Sequence, residues 1–231
     1  MQGQAEREAA AIALLDRFPW SNGGCLIGGY AIAAYGKPRF SQDLDLVVPE
    51  AERAPVVKAL ENLGFRLRPE RRAKTTFTQA ATLLKGDFSI DLMFGLVRDR
   101  ETGATLPEAW VSARSRLVRL DLLTGATKGK VQVARPEALW ALKLIAARDQ
   151  DLSDLFAISG EPIEIPEIQR ALSESMTPGL RRKLDLIPTR LEGSKIYSDA
   201  LSSRSMGRQD SPRNIQSWTR FVKLVDSVLP S

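Results

Sequence analysis

The chain has 231 residues, 43% hydrophobic and 26% charged, enough for a sizeable core and too apolar for wholesale disorder. It holds no histidine and one cysteine, Cys25. Ser-His and Cys-His catalysis, HExxH metalloprotease chemistry, a disulfide framework and His- or Cys-built metal sites are thereby excluded, and any metal must sit on oxygen ligands, which favours magnesium or manganese. Against 28 Asp and Glu stand 33 Lys and Arg, a net charge of +5 that suits a polyanionic partner such as nucleotide or nucleic acid.

Residues 4–18 space Ala, Ile and Leu between Glu and Arg as an amphipathic helix does, and the polar turn Ser21-Asn22-Gly23-Gly24 ends it. Cys25-Leu26-Ile27 reads as a short buried strand running into Gly28-Gly29. Tyr30 to Tyr35 reads as helical, stopped by Gly36 and Pro38. Asp43 to Val48 alternates and reads as a strand closed by Pro49. A helix is expected over 51–63 with Gly64 as its stop. Residues 75–84 and 88–94 flank Lys85-Gly86-Asp87 as a β-hairpin. Strand character follows at 117–123 and 131–133. Pro136 opens a strong helix to Arg148, and another starts near Asp151. From about 160, Pro162, Pro166, Pro178 and Pro188 punctuate short helical pieces. Residues 202–213 form a polar loop, and 215–228 a last amphipathic helix. The expectation is an α/β domain over 1–158 and a helical C-terminal region over 159–231. No apolar run reaches the roughly 18 residues of a membrane span. The N-terminus lacks the order of a signal peptide, so a cytoplasmic protein without membrane contact is expected.

The chemistry concentrates between Ile27 and Val47. Period two on a strand sends Asp43 and Asp45 to one face and Leu44 and Leu46 to the other. Two carboxylates on one face repel unless a cation lies between them. A third carboxylate, Asp91, stands isolated in the apolar strand Phe88-Ser-Ile-Asp-Leu-Met-Phe94, where burial is costly without a partner or a metal. Gly28-Gly29 lets a phosphate chain approach backbone N–H groups. Lys143 falls in the apolar sector of its helix, from which it either snorkels outward or points into a cleft. Asp151 sits where a helix N-cap belongs, a reading that does not extend to Asp154. Arg39 fits an ion pair or a phosphate contact equally. Basic clusters at Arg66, Arg68, Arg71, Arg72 and Lys74, at Arg114, Arg116 and Arg119, and at Arg181, Arg182 and Lys183 read as solvated faces or as polyanion contacts. Trp140 and Trp218 read as core.

Gly28-Gly29, thirteen residues from Tyr30 to Gln42, then Asp43-Leu44-Asp45-Leu46 resembles the DNA polymerase β-type nucleotidyltransferase superfamily. The extended form Gly28-Gly29 … Arg39-x-Ser41-x-Asp43-Leu44-Asp45, with Pro136 to Lys143 and Arg148-x-x-Asp151-x-x-Asp154-Leu155, is similar to its AbiEii/MenT-type toxin branch. The resemblance covers roughly 22–158 and implies a nucleotidyltransferase fold with a small mixed sheet. It implies metal ligation by Asp43, Asp45 and Asp91 (the last also a base), and a triphosphate cradled by Gly28 and Gly29. Ser41 matches a polar position beside the first Asp, Lys143 a phosphate contact, and Asp151 or Asp154 the last motif. It further implies transfer of a nucleoside monophosphate from an NTP to a hydroxyl of RNA, such as a tRNA 3′ end, with magnesium or manganese, and an antitoxin partner. Two other readings stay open: a non-catalytic module that binds RNA or protein, and an enzyme attaching AMP to a protein hydroxyl.

Overall fold

The computed structural model describes residues 2–18, 20, 23–35, 41–68, 80–122, 124–125, 127–202 and 212–230. Arg39, the basic residues Arg71, Arg72 and Lys74, the first part of the expected hairpin and the interior of the polar loop lie outside them. The chain packs as two compact units. One is Met1–Val97 with Pro107–Ala134, and the other Arg98–Leu106 with Arg135–Ser231. The division after Ala134 puts the helices over 136–158 with the C-terminal helices, whereas the sequence pattern groups them with the sheet.

The first unit contains α1 (Gln2–Arg17), β1 (Cys25–Ile27), α2 (Gly28–Ala33), β2 (Asp43–Val48), α3 (Arg53–Asn62), β3 (Arg66–Leu67), β4 (Ala80–Lys85) and β5 (Phe88–Phe94). β6 (Leu96–Arg98) leads out of it and β7 (Thr105–Pro107) leads back, followed by α4 (Glu108–Ala113), β8 (Ser115–Asp121) and β9 (Thr127–Ala134). Seven strands form one mixed sheet in the order β3-β4-β5-β2-β1-β9-β8. β2 runs parallel to β5 and β1 parallel to β9, while β1–β2, β4–β5 and β8–β9 are antiparallel. One face carries Leu44, Leu46, Val48, Ile90, Leu92, Phe94, Val131 and Val133, all buried. The other carries the alternate residues, Asp43, Asp45, Asp91 and Lys130 among them. The alternation that marked β2 as a strand is therefore the burial pattern of the sheet.

α2 begins at Gly28, directly on the end of β1 and two residues before the expected start. Tyr35, past its end, donates from its hydroxyl to the Ala134 carbonyl at 2.8 Å. Glu8 of α1 is buried and accepts from the Thr124 backbone N–H at 2.9 Å.

The second unit is helical: α5 (Pro136–Ala146), α6 (Asp149–Ile158), α7 (Ile165–Glu174), α8 (Pro178–Asp185), α9 (Ile187–Glu192), α10 (Ser194–Ser202) and α11 (Pro212–Val228). Pro occupies the first turn of α5, α7, α8 and α9, where its missing N–H costs nothing. Both ends of the expected polar loop are helical, since α10 reaches Ser202 and α11 starts at Pro212. Phe156, Phe221 and Trp140 form a buried aromatic core. Trp218, read as core from the sequence, is instead half-buried beside Tyr197, ring centroids 5.0 Å apart.

Candidate active site

Strand register builds the site. In the parallel pair β2–β5, Asp45 stands opposite Asp91 and Asp43 opposite Ser89. Period two then puts Asp43, Asp45 and Asp91 on one sheet face, all half-buried, with carboxylate oxygens within 4.8 Å of one another. Three carboxylates this close and no nitrogen or sulfur donor make a hard, oxygen-only set, the kind magnesium and manganese take.

Gly28 is the second element. Its φ is +66°, and a Cβ there would lie 1.9 Å from Asp45 Oδ2 and 2.7 Å from Cγ. Only glycine adopts this backbone freely and leaves room for the Asp45 carboxylate against the β1–α2 turn. The donor set and this bare backbone beside it both fit a divalent cation and the anion it would carry. Gly29 is buried in the first turn of α2.

Hydrogen bonds fix the carboxylates. Thr82 of β4, paired with Asp91 across the hairpin, donates from Oγ1 to Asp91 Oδ1 at 2.5 Å. Sequence reasoning missed Thr82, although the hairpin turn contains it: Lys85 pairs with Phe88, so counting back three places puts Thr82 opposite Asp91. Ser41 is buried, and its hydroxyl lies 3.3 Å from the Asp43 carbonyl and 3.4 Å from Oδ1. Tyr30 of α2 is buried, and its hydroxyl has no hydrogen-bond partner among the described residues. Burial first, then the negative charges of Glu8 and Asp43, push its ionisation upward, with Arg7 opposing. Tyr30 thus stays a neutral donor. Cys25 on β1 is buried, and its thiol is pushed up to about 12 by burial and by Glu108, against a hydrogen bond from Ser112. It is an inert core thiol.

In the helical unit Lys143 of α5 neither snorkels nor stands open. Its ammonium donates to Asp154 Oδ2 at 2.7 Å and Asp151 Oδ1 at 2.9 Å. Asp154 is 0% exposed and Lys143 8%. Burial pulls the lysine's pKa down, but Asp154 and Asp151 more than offset it, so the ammonium is held charged above the ordinary range. Asp151 is not the N-cap of α6. It lies three residues inside the cap Arg148 and accepts that residue's backbone N–H on Oδ2 at 3.2 Å. Asp154 Oδ1 accepts from Gln150 at 3.3 Å. The corner between α5 and α6 turns on Ala147 at φ 45°, and the freed carbonyls find cations: Lys183 donates to the Ala146 carbonyl at 2.8 Å and Arg190 to that of Ala147 at 2.5 Å. Lys183 also pairs with Glu101 at 2.8 Å, so it is no solvated cation.

The structure thus brings Asp43, Asp45, Asp91, Gly28 and Ser41 together in the first unit, and Lys143, Asp151 and Asp154 together in the second.

No family model and no curated protein matches this chain. Among solved structures, JHP933 from Helicobacter pylori is similar at a TM-score of 0.50 and 15% identity, over 99% of this chain and 94% of that one. A second H. pylori protein, provisionally described as a nucleotidyltransferase, is similar at a TM-score of 0.53 and 13% identity, over 99% and 97%. The likeness gives this chain a nucleotidyltransferase fold, with a mixed sheet and many helices. No helix among the described residues is long and apolar enough to cross a membrane.

Proposed function

We propose that this chain is a metal-dependent nucleotidyltransferase. It moves a nucleoside monophosphate from an NTP to an acceptor hydroxyl, that of an RNA 3′ end such as a tRNA's, and releases pyrophosphate. One observation carries the reading: three carboxylates from two parallel strands converge on one sheet face, against a glycine with no room for a Cβ. Asp43, Asp45 and Asp91 would hold magnesium or manganese. Bound there, the metal supplies charge that lowers the acceptor's pKa and offsets the triphosphate.

Asp91, one oxygen held by Thr82, takes the proton from the acceptor hydroxyl. The acceptor's oxygen, freed of its proton, forms a bond to the α-phosphorus as the bond to the bridging oxygen breaks, and pyrophosphate leaves with the electron pair. The backbone of Gly28 and Gly29 receives the triphosphate, with Ser41 beside Asp43. In the helical unit Lys143, with Asp151 and Asp154, forms a buried ion cluster that ties α5 to α6. In this reading the chain works in the cytoplasm as the toxin of a toxin–antitoxin pair, with a neutralising protein partner. Growth arrest on expression of the chain alone, relieved by Asp45→Asn, tests that role.

The decisive experiment is pyrophosphate release with each NTP, magnesium and total RNA, for the wild type and for Asp45→Asn. The variant loses a metal ligand and drops by about a thousandfold or more, several kcal/mol of transition-state charge stabilisation. Its metal-free fold is as stable as the wild type or slightly more so, since two like charges on one face no longer repel. No release by the wild type with any NTP, whether RNA or protein is offered, overturns the catalytic reading.

A further inference from the structure

Strand register lines up more than the acids. Thr82 of β4 pairs with Asp91 of β5, Asp91 with Asp45 of β2, and Asp45 with Ile27 of β1, the residue before Gly28. The four form one row across neighbouring strands, and their side chains share one face of the sheet. The bare backbone of Gly28 stands at one end of this row and a hydroxyl at the other. Thr82 is half-buried, and its backbone is fixed from both sides. The β4–β5 ladder holds one side, and on the other the Thr82 carbonyl accepts from the Arg68 N–H at 2.8 Å. β3 pairs with β4 at Leu83 and Leu84, so Thr82 stands just past the last pair.

The Thr82 hydroxyl donates to Asp91 Oδ1 at 2.5 Å. That is the contact an acceptor hydroxyl makes with its general base before transfer. The other hydroxyls beside the cluster lack it. Ser41 lies against Asp43, 3.4 Å from Oδ1. Ser89, opposite Asp43 in the register, makes no hydrogen bond to a carboxylate among the described residues. Direction along the row matters as well. In phosphoryl transfer the attacking and leaving oxygens lie roughly in line, on opposite sides of phosphorus. With the triphosphate received at Gly28 and Gly29, pyrophosphate leaves toward β1 and attack comes from the side of β4. Thr82 is on that side, already bonded to the base.

We propose that Thr82 is a self-modification site: without an external acceptor, the chain transfers a nucleoside monophosphate to its own Thr82. Asp91 takes the proton from Oγ1. Oγ1 forms a bond to the α-phosphorus as the bond from phosphorus to the bridging oxygen breaks, and pyrophosphate leaves with the electron pair. The product is a phosphodiester joining Thr82 to the nucleoside. It removes the donor to Asp91 and fills the attacking side of the site, so the modified chain is closed to other acceptors. The proposal rests on the nucleotidyltransferase reading above, and not on RNA as the acceptor.

The test incubates the full chain with each α-radiolabelled NTP and manganese, with and without total RNA. In the absence of RNA the chain takes up a single label, and its intact mass rises by one nucleoside monophosphate. Fragmentation of the tryptic peptide 75–85 places the label on Thr82 rather than on Thr75, Thr76 or Thr78. Thr82→Ser keeps a hydroxyl and is labelled, whereas Thr82→Val is not. A second readout needs no turnover. In Thr82→Cys the new thiol is alkylated by iodoacetamide, since Cys25 is buried, and a non-cleavable α,β-methylene NTP with manganese protects it. Wild-type labelling of Thr82→Val, label on another residue, or alkylation of Thr82→Cys at the same rate with the nucleotide present overturns the proposal. If RNA is labelled and the chain is not, self-modification fails alone. If Thr82 is labelled and RNA is not, the RNA acceptor fails alone. If neither is labelled with any NTP, the nucleotidyltransferase reading fails and self-modification with it.

Discussion

Gly28 shows how a single residue can set a site. Gly28→Ala pushes a methyl group into the Asp45 carboxylate and forces an L-residue to hold φ +66°. Folding stability falls by more than ~1 kcal/mol, and metal affinity at the acidic cluster falls further because Asp45 must turn away. Calorimetric titration with manganese, beside a denaturant curve, separates the two losses. Thr82→Val keeps the shape of β4 and removes the donor to Asp91, a hydrogen bond to a charged group worth about 1.5–3 kcal/mol. Pyrophosphate release, measured well below the variant's own lowered thermal midpoint, should then fall roughly 10- to 100-fold. The acids and the glycines were legible in the sequence because each breaks a local rule: an Asp in an apolar strand, a glycine pair where a helix starts. Thr82 breaks none, and only strand register gives it a meaning. Lys143 breaks a rule too, but its partners lie eight and eleven residues away, so the pattern could say only that it was displaced.

The α5–α6 pair turns on that lysine. With Lys143 replaced by Met, Asp154 and Asp151 lose the cation that compensates them, and breaking such a buried pair costs about 3–5 kcal/mol. Chemical denaturation of K143M, with K143M/D151N/D154N beside it, checks this: the triple variant should recover much of the loss, since it removes the orphaned charges as well. The pair also fixes the alkaline limit. A lysine whose pKa is raised by folding contributes stability that is fully present below its ordinary value of 10.5 and is lost as pH climbs through the higher folded value. Asp99 sets the opposite limit. Burial pushes it upward, but hydrogen bonds from the Thr102 N–H and hydroxyl and the charge of Lys183 outweigh this, so its pKa is lowered on folding. Its contribution is present above the ordinary value of 3.8 and fades as pH falls through the lower folded one. Unfolding midpoints measured from pH 2 to pH 12 should decline at both ends. Most elements longer than six residues were read from periodicity, but the three-residue strands β6 and β7 and the six-residue helix α4 were not. A three-residue strand holds too few positions to show a period; β1 was legible only as an apolar run between glycines, and β6 and β7 have no such bounds.

At the scale of the molecule, magnesium or manganese binding to the folded state alone should raise stability by about 2.7 kcal/mol at a hundredfold excess over Kd. For a chain of 231 residues that is a midpoint shift of several degrees, on the order of 5–10 °C, reversed by EDTA and absent in Asp45→Asn. A scan with and without manganese on both proteins reads it. The mixed α/β character and the helical C-terminal region could be anticipated from hydrophobic spacing. Where the packing divides could not, because the unit boundary follows tertiary contacts that leave no local trace at Ala134.

The division also makes the helical unit discontinuous, with a time order. The segment 98–106 belongs to it but is synthesised long before the rest. The groups that anchor this segment arrive late: the Ser175 hydroxyl donates to the Thr105 carbonyl across 70 residues, Thr177 donates to the Thr102 carbonyl across 75, and Gly179 leaves room for Thr102. At ~5–20 residues per second a ribosome takes roughly 4–14 s to cover that interval. Throughout it β6 and β7 bracket a loop whose anchors do not yet exist. A nascent chain stalled at residue 134 should therefore present 98–106 to protease while its sheet is already protected, and release of the full chain should close that window. Nor does a single cut yield either unit whole: a fragment ending at Ala134 carries a piece of its neighbour, and one beginning at Arg135 lacks it.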